Sequence, residues 1–128
     1  MPLDPERSKP ELDFPGDEAP TELVIEDLIE GTGDEAAAGH TVSAHYAGWT
    51  FSGGEEFDSS WGRGAPLDFP LGQGRVIQGW DQGLVGMKVG GRRKLTIPSD
   101  LAYGERGAGG AIKPGETLIF IVDLVDVR

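Results

Sequence analysis

The chain has 128 residues, a net charge of −11 and no cysteine. That length supports one domain, and the missing cysteines exclude disulfides, thiolate metal sites and cysteine nucleophiles. The acidity is uneven: residues 1–40 hold twelve acids and two bases, whereas residues 41–128 hold ten and nine. Nucleic acid and anionic membrane surfaces, which need an excess of Lys and Arg, are therefore not expected partners.

Residues 1–20 carry five of the nine prolines and six acids. With so few apolar side chains they cannot offset their ordering entropy, and a disordered, acidic, Pro-rich arm is predicted. The domain is taken to span 21–128. Leu23-Val24-Ile25 and Leu28-Ile29 predict an edge strand, ended by Gly31-Thr32-Gly33. Thr41 to Thr50 alternates, with Val42, Ala44 and Tyr46 on one face and Ser43 and His45 on the other; Ser52-Gly53-Gly54 then supplies a turn. Leu67-Asp68-Phe69 is a short strand closed by Pro70. Ile77, Trp80, Leu84 and Met87 share one face of a 3.6-period helix. Gly79 and Gly83 weaken that helix by about 1 kcal/mol each against alanine, and we read them as letting strands approach it. Arg92 to Ile97 alternates until Pro98, and its Arg92-Arg93-Lys94 run reads as a solvated strand face. Thr117 to Val127 is apolar on both faces, the mark of a central strand covered on both sides. The predicted class is α+β, an antiparallel sheet curling around one short helix.

Several motifs fail on physical grounds. Gly31-Thr32-Gly33-Asp34-Glu35-Ala36 fits a G-x-G-x-x-A dinucleotide pattern, but its acids would face the pyrophosphate and no helix follows, so it is a turn. His40 and His45 have no third metal ligand placed near them, and His45 is read as an ordinary sheet residue. No G-x-S-x-G elbow surrounds any serine. No cofactor is expected. What remains is a set of aromatics beside turns: Tyr46, Phe57-Asp58, Trp80, Tyr103 and Phe120. Val76-Ile77-Gln78-Gly79-Trp80 leads into the helix, and the glycine-rich stretch from Gly104 to Gly110 follows Tyr103. A flap beside an aromatic pocket is a ligand-site pattern.

The runs AHYAG, FDSS, VIQGWDQGL, LAYG and TLIFIVDLVDV, in that order from about residue 22 to the end, resemble an FKBP-type peptidyl-prolyl cis–trans isomerase. The resemblance implies a five-stranded antiparallel half-barrel wrapped on a short helix. It also implies a pocket whose reacting residues are Tyr46, Asp58, Trp80, Tyr103 and Phe120, with Trp80 as the floor for the proline ring. Phe57, Leu67, Val76, Ile77, Ala111 and Ile112 would contact substrate or macrolide. The Ile77 N–H and the Tyr103 hydroxyl would donate to substrate carbonyls, and Asp58 would be held by Tyr46 and Arg63. Leu67, Ala108 and Ala111 depart from the bulkier residues found in many relatives. The implied partners are proline-containing polypeptides and macrolides of the tacrolimus and rapamycin type, met by a cytoplasmic monomer that assists protein folding. The alternative is a non-catalytic module on the same fold that holds proline-containing partners.

Overall fold

The computed structural model describes residues 20–51, 54–104, 112 and 115–128. The predicted arm (all but residue 20), the stretch after Gly104 and the departures Ala108 and Ala111 lie outside them.

Six strands are formed: β1 (Val24–Ile29), β2 (Thr41–Thr50), β3 (Glu56–Ser59), β4 (Leu67–Pro70), β5 (Arg92–Ile97) and β6 (Leu118–Val127). All pair antiparallel in the order β1-β5-β6-β2-β3, with β4 also on β2. The five expected strands are all present, and β3 is a sixth. β3 lies along Ala47–Trp49 and β4 along Thr41–Ala44, end to end on the same side of β2. β3 escapes sequence reading because Glu56–Ser59 shows no alternation; only pairing with β2 makes it a strand.

Alternation along β6 divides the interior. Leu118, Phe120, Val122 and Leu124 join the principal core with Val42, Ala44, Tyr46, Trp80 and Leu95. Ile119 and Ile121 face the other way, into a second cluster with Ala47 and Trp49, flanked by Phe51 and Trp61. β6 is therefore central and covered on both faces, as its sequence predicts. Burial of each such Leu or Ile is worth about 1.5–3 kcal/mol.

The helix α1 (Gln78–Gly83) is six residues long, shorter than the apolar spacing suggests. Leu84 follows as its cap and Gly86 turns at φ +90°, so Met87 reaches the core from the next turn. A Cβ on Gly79 would stand 2.5 Å from the Ile97 side chain, and one on Gly83 2.8 Å from Leu95. No side chain fits there, so glycine lets β5 pack directly on α1. Gly31 plays the same part in its turn, where a Cβ would come within 2.4 Å of the Lys88 carbonyl.

One expectation is overturned. Arg92 and Arg93 are not a solvated face. Arg92 forks onto the buried Asp123 carboxylate at 2.6 and 2.8 Å. On the opposite face, buried Arg93 holds Asp27 at 2.7 Å and donates to the Gly83 and Val85 carbonyls behind α1. The carboxylates come from β6 and β1, the strands on either side of β5, which a run of like charge cannot reveal. The two histidines are held apart by different partners: His40 Nδ1 accepts the Ala37 N–H, while His45 stacks on Trp61 at 4.4 Å and meets Ser60 Oγ at 2.9 Å.

Candidate active site

A cavity of about 410 Å³ opens on the principal-core side of the sheet. β2 supplies Tyr46, β3 Phe57 and Asp58, β4 Leu67, and β6 Phe120; the turn into α1 adds Gly74, Arg75, Val76 and Ile77, and α1 itself Trp80. Tyr103 completes the wall after a one-turn 3-10 helix at Ser99–Leu101.

The aromatic rings meet edge to face, the arrangement their quadrupoles favour. Tyr46 and Phe120 stand at 77° and 84° to the Trp80 indole, with centroids 5.0 and 5.2 Å away. Phe57 meets Phe120 at 87° and 5.5 Å. Gly48 makes this possible. Any Cβ there would lie 2.7 Å from Phe120 and 2.8 Å from Phe57, so a bare backbone in β2 leaves room for both rings.

Polar groups sit at fixed points on this apolar wall. The Tyr46 hydroxyl donates to Asp58 Oδ2 at 2.5 Å, and the Ser59 N–H donates to Oδ1 at 2.8 Å. Behind them Ser60 is fully buried. Its Oγ accepts the Tyr46 N–H at 2.7 Å and its own N–H donates to the Tyr46 carbonyl at 2.9 Å, tying the end of β3 to β2. The turn into α1 is held differently: the Asp81 carboxylate accepts the Gly72 N–H at 2.8 Å and the Gly74 N–H at 3.0 Å. The Ile77 carbonyl starts the helix by accepting from Trp80 and Asp81. Its own N–H has no acceptor among the described residues. The Tyr103 hydroxyl is likewise unpaired among them. Burial, followed by the Asp58 charge, raises the Tyr103 pKa above its ordinary value of 10.0, so the phenol stays protonated and able to donate.

Of the residues expected at the site, Tyr46, Phe57, Asp58, Leu67, Val76, Ile77, Trp80, Tyr103 and Phe120 line this cavity together. Ile112 is buried in the principal core instead of on the wall. Ala111 and the side chain of Arg63 lie outside the described residues. Sequence reasoning passed over Gly74 and Arg75, which reach the rim through the backbone path of a turn and give no apolar signal. It also passed over Gly48 and Ser60, whose parts depend on which strands meet.

The model of the FKBP-type peptidyl-prolyl cis-trans isomerase family matches residues 33–125. An FK506-binding protein of Streptomyces anulatus is 67% identical over 120 residues, covering 93% of this chain and 97% of that protein. The peptidyl-prolyl cis-trans isomerase FPR2 of Saccharomyces cerevisiae is 56% identical over 94 residues, 73% of this chain and 70% of its own. The crystal structure of AtFKBP13 superimposes with a TM-score of 0.78 at 41% identity, over 86% of this chain and 96% of that one.

Proposed function

Because this chain belongs to the FKBP-type peptidyl-prolyl cis–trans isomerase family and is an isomerase of that type, we propose that the cavity over Trp80 is where an X–Pro bond is turned. The observation that carries this is the ring cluster itself: Tyr46 and Phe120 meet one indole edge to face and Phe57 meets Phe120 the same way, with hydrogen-bond donors at the edge. The proline ring rests on Trp80 between Tyr46 and Phe120. The Ile77 N–H and the Tyr103 hydroxyl take the carbonyls of the bound segment.

The chemistry asks for little more. Rotation about the peptide bond faces a barrier of ~18–20 kcal/mol because twisting forfeits amide resonance, and X–Pro bonds exchange over tens to hundreds of seconds. The planar amide is charge-separated and water stabilises it. The twisted amide has lost that polarity, so moving the bond from water onto aromatic walls favours the twisted form. Contacts to flanking residues supply binding energy that holds the distorted conformer. Asp58, oriented by Tyr46 and the Ser59 N–H, polarises the segment without exchanging a proton. Each ~1.36 kcal/mol taken off the barrier is a tenfold gain in rate.

The same cavity takes a macrolide of the tacrolimus or rapamycin type in place of the peptide. The natural substrates are proline-containing polypeptides in the course of folding, met in the cytoplasm by a monomer. Among the described residues no helix is long and apolar enough to cross a membrane. The deciding experiment is isomerisation of a Leu-Pro test peptide with and without such a macrolide. Acceleration that the macrolide abolishes is expected; acceleration that the macrolide leaves intact refutes the shared pocket. Acceleration that survives Phe120→Ala in a folded protein refutes the assignment of the ring cluster.

A further inference from the structure

Eleven described residues line the cavity, and among them Arg75 is the one cation and Asp58 the one carboxylate. They are differently placed. Both Asp58 oxygens accept hydrogen bonds from the protein itself, from Tyr46 and Ser59. Arg75 is exposed and makes no ion pair or hydrogen bond with any described residue. Its backbone is nonetheless fixed, because Asp81 takes the N–H of Gly74 immediately before it and that of Gly72 two residues earlier. The side-chain groups left open are thus the Tyr103 hydroxyl and, exposed at the rim, the Arg75 guanidinium, which can donate beside the Ile77 N–H. Such a rim suits a segment that presents acceptors, and the guanidinium suits a carboxylate in particular.

We propose that Arg75 makes this isomerase prefer segments with an Asp or Glu side chain within a few residues of the X–Pro bond. The inference rests on the pocket assigned above and names the class of substrate it favours. The preference is local. A net charge of −11, of which residues 1–40 hold −10, repels an anionic peptide as a whole. Screening cuts that long-range field at roughly 8–10 Å in ordinary salt, so the contact with Arg75 selects where the acid sits and not how much charge the peptide carries.

The test uses the full chain and a set of Leu-Pro peptides in which Glu, or its uncharged isostere Gln, is moved through the two positions before Leu and the two after Pro. The Glu/Gln ratio of kcat/KM is measured in low salt for the native protein and for Arg75→Gln. The native ratio should exceed the variant's by about two- to fivefold at one or two positions, the range of an exposed ion pair. It should reverse in Arg75→Glu and close towards unity in high salt. Equal ratios in native protein and Arg75→Gln at every position overturn the inference while leaving the pocket standing. No acceleration of any peptide by the native protein overturns the pocket, and the inference with it.

Discussion

The two faces of the sheet are built from the same kind of material and end in different states. On one side Trp80 is ringed by Tyr46, Phe69 and Phe120, and a cavity of about 410 Å³ remains beside them. On the other, Trp49 and Trp61 close over Ile119 and Ile121, and His45 lies flat on Trp61 at 19°. Each face even carries a tryptophan whose buried indole N–H has no partner among the described residues, Trp80 on one and Trp61 on the other. Neither aromatic content nor an unpaired N–H therefore marks the site. The difference lies in how the rings meet. Perpendicular rings around a six-residue helix leave a gap, whereas a stacked pair seals its side.

That contrast can be broken most forcefully at the two tryptophans. Trp80→Ala should cost about 3–5 kcal/mol of stability and lower kcat/KM per folded molecule by at least tenfold. Trp61→Ala should cost less, because that ring is only half-buried, and should leave kcat/KM of the folded fraction unchanged. Denaturant titration beside peptide kinetics separates the two quantities, and a kinetic loss in Trp61→Ala would join the faces that we have set apart.

Next in size is Arg92→Ala, which strands the Asp123 carboxylate, 1% exposed, on the closed face. Breaking a buried pair from one side costs about 3 kcal/mol or more. Denaturant midpoints should fall while the kinetics of the folded fraction stay put. Gly79→Ala probes the open face with a smaller change. Its methyl meets Ile97 at 2.5 Å, an overpacking of about 1–3 kcal/mol. Relief requires α1 to move off β5 and carry Trp80 with it, so kcat/KM should drop together with Tm.

The smallest effect is a matter of pH. Burial holds the His45 imidazole below its ordinary value of 6.5, against an opposing pull from Asp123. The unfolded chain then binds the proton more readily than the folded one, so this contribution is complete above the unfolded value and is lost as pH falls through it towards the lowered one. Between pH 7 and 5 the native protein should lose more stability than His45→Gln, as read by denaturant midpoints. An identical slope in the two proteins would remove His45 from the account.

Much of this was legible in the residues. Alternation drew β2 and β5, the two-sided apolar run drew β6 and placed it at the centre, and Gly79 and Gly83 announced a helix pressed against strands. The pocket residues followed from a family resemblance, since Tyr46 and Phe120 are 74 positions apart and no local pattern joins them. What stayed hidden was set by partners from elsewhere in the chain. Asp27 and Asp123 turn a basic run into two ion pairs, one of them on a buried carboxylate. β2 turns Glu56–Ser59 into a strand, and the Asp81 carboxylate turns a polar turn into part of a wall.

That last contact has a consequence for how such a protein can change. Two backbone amides fastened to one carboxylate on α1 leave the identity of residues 73 and 75 without a part in keeping the turn in shape. The frame and the lettering on its edge are separable. A lineage, or an engineer, can rewrite Gln73 and Arg75 in single steps, with Trp80 beneath them untouched.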